Sequence, residues 1–467
     1  MAWRFNVAIA LVLVTSAASG SAQNTLGVPI PFATIQSAIN AAIWGDTVLV
    51  QPGTYSGPIN FLGKTITVRS VAGAGVTTIN GLQNGSAVRF TSMETPLSVL
   101  EGFTITNGRG ANLTGVAVAD PGGIKIQNAS PTIRNCIISG NTGGRGSSAF
   151  IGVGFAMTNS GPGGVLIQYS AAKFIDCEIV NNLGGTGLPA ACVPAFPGAV
   201  PGAMGGAGGF HLLNQTAGAV LSGLRVRFNT GGSGGSGTCS AYAAGGNGGP
   251  GGAAIEVSSA TTLSGIEFIG NTGGVGGVGT ATGIPIMVQG GYGGPGGLLV
   301  RPPYQTAAFP LLLDGCTIVG NVGGSGNYCM PFFSSTLCTG FFGGTLGGGT
   351  GSVDVNGVQF GASHVTIAGN FSGPNPSGAG GGLYFVGSTT SWSNFVNCIF
   401  WGNISGPITG SPNLHLSSVV NQTMSHCVVG GATFPIGSSN ISVDPLFVSL
   451  STNDVHLTEA SPCRNSG

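Results

Sequence analysis

The sequence predicts an all-β fold, the right-handed parallel β-helix, because two short patterns recur along most of the chain. The first pattern is a strand-like phrase that ends in an Asn and a Gly pair and returns seven times. Its copies begin at Thr132, Lys173, Val220, Thr262, Leu312, Ala362 and Asn394, and the first reads TIRNCIISGNTGG. The second pattern is a short strand entered by Gly-Gly, found at Gly122, Gly163, Gly208, Gly296 and Gly381.

Alignment of the seven phrases gives three columns. The late Asn column contains Asn141, Asn182, Asn229, Asn271, Asn321, Asn370 and Asn403. Five residues earlier stands an apolar column of Cys136, Cys177, Leu224, Ile266, Cys316, Val365 and Cys398. Two residues after that stands a second apolar column of Ile138, Ile179, Val226, Phe268, Ile318, Ile367 and Phe400. This period of two is typical of a strand with one buried face, so both apolar columns should point inward.

One coil therefore comprises a Gly-Gly strand followed by the repeated phrase, for example the 23 residues from Gly122 to Gly144. A single coil cannot bury its apolar face, so coils must stack, with equivalent strands parallel, in register and roughly 4.8 Å apart. Stacking would turn the Asn column into a hydrogen-bonded ladder at a turn. The inward cysteines are then small buried hydrophobes that stay mostly reduced.

The chain divides into four predicted parts. Residues 1–22 contain one basic residue, an apolar run and a small-residue end, as in a secretory signal peptide. Residues 33–110 form an N-terminal cap with the first coils, 111–431 form the repeat coils, and 432–467 form a closing segment. In the cap, Ile35, Ala38, Ile39 and Ile43 have helical spacing and predict an amphipathic helix over the open first coil.

Long Gly-rich insertions separate the repeated phrase from the next Gly-Gly strand. They span 145–162, 186–207, 233–250, 275–295 and 325–347, and all leave from the same corner of the coil. They should stack into a ridge, which in solenoids is often the binding face. Candidate ligand-binding residues are the ridge aromatics Phe155, Phe196, Tyr242, Tyr292, Phe332 and Phe341. The alternative is that these loops pack only on each other and on the coil wall.

The insertions also carry cysteines in an exported chain. Cys192 and Cys239 each lie seven residues after a closing Gly, Gly185 and Gly232, on adjacent coils. If neighbouring insertions run side by side, these two cysteines meet and form a disulfide. Cys329 and Cys338 share one insertion and make a second candidate pair.

Catalytic candidates are few. Glu178, Arg225 and Glu267 occupy the same outward position on three successive coils, which fits either a pair of catalytic carboxylates or a surface ion-pair ladder. The five histidines show no metal-ligand spacing, and we expect no metal or other cofactor. Thirteen basic residues balance thirteen acidic ones without forming a basic stripe, so nucleic acid is not an expected partner.

Several segments resemble the parallel β-helix proteins of the pectate-lyase-like superfamily. TIQSAINAAIWGDTVLVQPGTY from Thr34 resembles the cap and first coil of that group, and GKTITVRS, GFTITNG and SPTIRNCIISGN resemble its early coils. DPLF, DVHL and SPC near the end resemble its closing segment. The resemblance covers roughly 33–467. It implies the fold but not an activity, because the superfamily includes lyases, hydrolases, esterases and proteins without catalysis.

The sequence therefore favours a secreted or cell-surface β-helix without turnover. Such a protein would bind a polysaccharide or another cell-surface component, or serve as an extracellular structural module. Once the signal is cleaved, no membrane insertion is expected, because polar, Gly or Pro residues interrupt every later apolar stretch. The alternative is a polysaccharide lyase or glycoside hydrolase acting on the outer face near Glu178, Arg225 and Glu267. That superfamily's polygalacturonase-like motifs do not occur in this sequence.

Overall fold

The computed structural model describes most of the 467-residue chain. The described ranges are 23–151, 154–191, 201–213, 219–239, 242–281, 287–302, 309–327, 353–373, 381–386, 392–405, 412–417, 421–431 and 439–464. Every coil passes through three parallel sheets in the same order, here called sheet 1, sheet 2 and sheet 3. The fold is a right-handed parallel β-helix, as the repeats predict.

Sheets 1 and 2 contain the strands of the repeated phrase. Sheet 1 has twelve strands: Thr25–Val28, Thr47–Val50, Thr67–Ser70, Val99–Glu101, Thr132–Arg134, Lys173–Ile175, Val220–Ser222, Thr261–Ser264, Pro310–Asp314, Gln359–Ser363, Trp392–Val396 and Asn421–Ser425. Sheet 2 has eleven strands: Gly53–Ser56, Thr77–Asn80, Thr104–Thr106, Ile137–Ser139, Glu178–Val180, Arg225–Arg227, Glu267–Ile269, Thr317–Val319, Thr366–Ala368, Ile399–Trp401 and Val428–Val429.

Sheet 3 contains the strands entered by Gly-Gly. Its ten strands are Ile59–Asn60, Val88–Phe90, Ile124–Gln127, Val165–Gln168, Phe210–Leu213, Ala253–Glu256, Leu298–Arg301, Val353–Asn356, Leu383–Val386 and Leu414–Ser417. Shorter parallel strands lie in the insertions: Ala190–Ala191, Gly237–Cys239 and Gly279–Ala281 form one sheet, and Tyr242–Ala244 and Met287–Gln289 form another. Two antiparallel hairpins complete the described strands, Ser148–Ile151 with Gly154–Met157 and Phe447–Ser449 with Asp454–Leu457.

Helix is confined, within the described ranges, to the α-helix Ile35–Ala41 and the 3₁₀ turn Leu450–Thr452. Thr34 caps the α-helix, since its side-chain oxygen accepts a hydrogen bond from the Ser37 backbone N–H at 3.0 Å. Ile35 and Ile39 are buried against the first coil. The sequence prediction was wrong for Ile43, which is 49% exposed because the helix ends at Ala41 and the chain turns away before it.

The interior is one apolar column running the length of the solenoid. Ile179, Phe268 and Ile318 are between 0% and 1% exposed, which confirms the predicted inward register. The cysteines of the strand column, Cys136, Cys177, Cys316 and Cys398, are buried in the same core.

The Asn column forms a buried ladder at the corner between sheets 2 and 3. In each step the Oδ1 of one Asn accepts hydrogen bonds from both the backbone N and the Nδ2 of the preceding Asn. For Asn229 to Asn271 both distances are 3.0 Å. The same pattern runs from Asn141 to Asn403 and continues to Asn413. The ladder satisfies polar groups that the corner buries, so the predicted structural role is confirmed.

Candidate functional site

The Gly-rich insertions form an ordered layer attached to the corner that follows the Asn ladder. In the described residues, five insertions have an outgoing arm and four of them also have a returning arm. The outgoing arms are 143–148, 184–191, 231–239, 273–281 and 323–327, and the returning arms are 158–164, 201–209, 245–252 and 290–297. We call this assembly the arm layer. Its presence confirms that the described parts of neighbouring insertions run alongside one another.

Backbone hydrogen bonds in the arm layer repeat every three residues. In the arm that begins at Gly231, the N–H groups of Gly231 and Gly234 donate to the carbonyls of Thr272 and Val275 in the next outgoing arm, both at 2.8 Å. The N–H of Gly232 donates to Gly206 in a returning arm, also at 2.8 Å. A three-residue repeat with bonds to neighbouring segments is typical of extended polyproline-II-like chains packed side by side.

Close packing explains why these arms are rich in glycine. A Cβ atom at Gly232 would overlap the carbonyl oxygen of Gly185, and one at Gly249 would overlap that of Gly206. The glycines of the arms lie against neighbouring backbones, and most larger side chains stand at every third position, with Ser147, Leu188 and Ala203 as exceptions. The Gly pairs therefore allow the backbones of neighbouring arms to pack closely.

The third positions of the outgoing arms point to the surface. The pattern from Leu183 to Thr186 is exposed, buried, buried, exposed, and the same pattern runs from Thr230 to Ser233 and from Thr272 to Val275. We call the third positions of the four later outgoing arms, with the residue that leads into each of them, the outer array, and its members are Leu183, Thr186, Pro189, Thr230, Ser233, Ser236, Thr272, Val275, Val278, Val322 and Ser325. None of these eleven side chains is charged.

The returning arms face the opposite way, onto the outer face of sheet 3. Val118, which forms a parallel bridge with Asn159 of a returning arm, packs with Leu166 and Leu213 of that sheet. Further along, the Met204 sulfur lies 4.0 Å from Arg301 Nη1. The arm layer thus covers part of sheet 3 with one side and presents the outer array with the other.

The predicted ridge aromatics fall mostly outside what the structure describes. Phe196, Phe332 and Phe341 lie outside the described residues, and the side chains of Phe155 and Tyr242 are likewise not described. Tyr292 is half-buried in a returning arm, and its backbone N–H donates to Asn247 Oδ1 at 3.0 Å. It therefore does not belong to the outer array. The outer array consists of smaller residues, which the prediction based on aromatic side chains did not include.

Glu178, Arg225 and Glu267 do lie in one row across sheet 2. Glu178 is paired in register with Arg225, and Arg225 with Glu267, as the alignment predicted. Arg227 Nη2 forms an ion pair with Glu267 Oε2, and both side chains are partly exposed. Arg227 lies two residues beyond Arg225 on the same strand, so this ion pair is not the predicted pairing within the row, and both interpretations of the row stay predictions.

A second charged cluster lies on sheet 3 beneath the returning arms. Glu256 Oε1 accepts hydrogen bonds from Arg301 Nε at 3.1 Å and Nη2 at 2.5 Å. His211 is 3% exposed, and its Nε2 lies 3.6 Å from the same oxygen, too far for an ordinary hydrogen bond. Burial raises the pKa of Glu256, but neighbouring His211 and Arg301 outweigh it and lower that pKa to about 2. Glu256 is therefore a persistent carboxylate.

Sequence reasoning missed this cluster because it treated His211 as an isolated histidine. The sequence did contain a signal for the Glu256–Arg301 pair, because both residues occupy the same position in successive strands that follow Gly-Gly. Within the described ranges, no group of three or more His, Cys, Asp or Glu side chains is placed to hold a metal ion. No helix in those ranges is long and apolar enough to cross a membrane.

The predicted disulfides lie outside the described residues. Cys192, Cys329 and Cys338 are not described, and Cys239 is described only for its backbone. The strands that lead to the first pair are in register, with Ala191 opposite Thr238. The Cys192–Cys239 disulfide stays a prediction.

No protein-family model matches this chain, and no curated protein matches it. Among solved structures, the chain is similar to pectate lyase Pel9A at 14% sequence identity, over 95% of this chain and 89% of that one, with a TM-score of 0.35. It is also similar to the catalytic domain of a GH87 α-1,3-glucanase at 12% identity, over 87% and 70% of the two chains, with a TM-score of 0.32.

A third similar structure is a mannuronic acid-specific polysaccharide family 6 lyase from human gut microbiota. It is 12% identical, over 91% of this chain and 92% of that one, with a TM-score of 0.27. The three parallel sheets establish the right-handed parallel β-helix fold.

Proposed function

We propose that this protein is an exported β-helix that binds a glycan or another extracellular surface through its arm layer, without turnover. The observation that carries the proposal is the hydrogen-bonded packing of the described arms, which gives the insertions a defined outer surface. Binding by a disordered loop must order that loop, whereas a preformed surface avoids this free-energy cost. A layer of this kind is therefore suited to binding.

The charged groups support a role without catalysis. Glu267 is engaged by Arg227, and Glu256 is engaged by Arg301. A general acid needs a carboxyl group that holds a proton near the working pH, which requires a raised pKa. The lowered pKa of Glu256 is the opposite, so this residue is better suited to holding the cluster together than to donating a proton.

A polysaccharide lyase or glycoside hydrolase remains the second candidate, because Glu178 and Glu267 lie on the same face two coils apart. Two steps of about 4.8 Å would separate them by about 9.6 Å, near the upper limit for the two carboxylates of inverting glycosidases.

The two candidates are separated by measuring binding and turnover on the same panel of polysaccharides. Retention is measured by pull-down or affinity electrophoresis, and turnover by new reducing ends and unsaturated products. The proposal predicts retention without products, for the wild type and for Glu178→Gln alike. Product formation that Glu178→Gln or Glu267→Gln abolishes, while Arg134→Gln on sheet 1 leaves it intact, would establish the enzymatic candidate instead.

A further inference from the structure

We infer that the outer array binds the flat face of an ordered, uncharged polysaccharide. This inference rests on the proposed function and names the ligand class of the same arm layer. It follows from three properties of the array: its regular spacing, its lack of charge and its rigid support.

The array is regular in two directions. Along the solenoid, Leu183, Thr230, Thr272 and Val322 form a continuous column of parallel backbone bridges that extends to Phe371 and Ile404. Successive members of this column are therefore roughly 4.8 Å apart. Along each arm the surface positions recur every three residues, or about 9 Å for an extended polyproline-II chain. A surface that repeats in both directions fits a ligand that also repeats.

The array carries no charge over the coils from Leu183 to Ser325. Two charged side chains occupy equivalent positions before these coils: Arg145, at the edge of the layer, and Arg109, two steps before Leu183 in the same column of bridges. A surface selected for an acidic polymer would be expected to present basic groups that attract it and fix its register. The arginines of sheet 2, Arg225 and Arg227, lie on a different face. A neutral ligand is therefore the better match.

The array mixes exposed apolar groups with hydroxyl groups. Leu183 is 43% exposed, Val275 is 42% exposed and Val322 is 37% exposed, and Thr and Ser residues alternate with them. Sugar rings present C–H faces bordered by hydroxyl groups, so a mixed surface can contact both.

The backbone beneath the array holds it in place. A side chain cannot be added at Gly232 or Gly274 without overlapping a carbonyl oxygen, and both N–H groups bond returning arms at 2.8 Å. The array therefore keeps its spacing without the ligand, and the entropy lost on binding is small. The small side chains also leave the surface flat.

The inference is tested by retention on insoluble microcrystalline cellulose and chitin, compared with soluble polygalacturonate and alginate, in low salt and in 1 M NaCl. We expect retention on an insoluble neutral polymer that salt does not weaken, because no ion pairs contribute to it. Thr230→Asp and Val275→Asp place charges in the array, and each should lower affinity about tenfold or more. Leu312→Asp, on the outer face of sheet 1 and 40% exposed, is the matched control and should leave retention unchanged.

Circular dichroism and thermal unfolding of each variant show whether the fold is kept. Thr272→Lys is a second variant of opposite charge at a fully outward position, and it should weaken retention as Thr230→Asp does. Salt-sensitive binding to the acidic polymers alone would overturn the inference and leave the proposed function standing. Retention that survives all three array substitutions would also overturn it. Absence of binding to every polymer would overturn the inference but not the proposed function, which also includes extracellular surfaces other than these polymers.

Discussion

Arg301 donates two hydrogen bonds to a single oxygen of Glu256, across neighbouring strands of sheet 3 and beneath the returning arms. Glu256 is 8% exposed, so its charge is balanced by contacts rather than by water. His211 lies beside the same oxygen. This cluster joins three successive coils at the place where the arm layer covers the sheet.

The first prediction concerns acid stability. The folded-state pKa of Glu256 is lowered to about 2 from its ordinary value of 4.5, so this carboxylate stabilises the fold above pH 4.5. That contribution should be lost as pH falls from about 4.5 toward 2. Denaturant unfolding followed between pH 2 and pH 7 measures it. Glu256→Gln should reduce the loss of unfolding free energy between pH 4.5 and pH 2. An unchanged loss would show that other carboxylates cause the acid destabilisation.

The second prediction concerns the core. Phe268 of sheet 2 is fully buried, and its ring centroid lies 6.3 Å from that of Phe210 in sheet 3. Phe268→Ala should lower the free energy of unfolding by roughly 3 to 5 kcal/mol, because the surrounding coils cannot close the cavity. Val220→Ala, at a 40% exposed position of sheet 1, should change it by less than about 0.5 kcal/mol. Equal effects would mean that the inward register is misassigned.

The third prediction concerns the packing of the arms. Gly249→Ala places a Cβ against the carbonyl oxygen of Gly206, so the two arms must separate. We expect a loss of roughly 1 to 3 kcal/mol, as for other overpacked sites. Gly75→Ala is the control, since a Cβ there meets nothing within 4 Å. Thermal unfolding of both variants measures the difference, and a harmless Gly249→Ala would contradict close packing of the arms.

The fourth prediction is the disulfide between Cys192 and Cys239. Ala191 and Thr238, directly before them, are paired in register, and Cys239 is itself paired with Ala281 of the next arm. Cα atoms one step apart in a parallel sheet are within the range that a disulfide spans. Closing this loop should stabilise the protein by about 4 kcal/mol. Non-reducing peptide mapping should recover the linked peptides, with Cys316 free, whereas an unlinked Cys192 would contradict the prediction.

The repeat allowed much of the fold to be predicted from sequence. Apolar alternation identified Ile179, Phe268 and Ile318 as core residues, and the Asn column identified the corner ladder, because in a stacked solenoid each position recurs with the same environment. The helix was predicted from its spacing, but Ile43 was wrongly included, since helical spacing alone does not show where a helix ends.

The outer array, the proposed binding surface, was harder to predict from the sequence. The insertions were correctly predicted to leave from one corner. The predicted binding residues were aromatic, however, and did not include Leu183, Thr230 and Thr272. Exposure every third residue follows from hydrogen bonds between arms that are far apart in sequence, such as Gly187 to Ser233. Likewise, the contact of Glu256 with His211 and Arg301 depends on which strands are neighbours. Composition could not reveal either arrangement.

The central claim is that the Gly-rich insertions form a fixed layer, and native-state hydrogen exchange followed by mass spectrometry tests it most directly. The amides of Gly232, Gly249 and Gly274 bond neighbouring arms at 2.8 Å, so peptides that contain them should be protected to a degree similar to sheet 2 peptides such as Arg225–Arg227. Full exchange of the arm peptides at the earliest time point, with sheet 2 still protected, would show that the insertions are loose loops and would contradict the account.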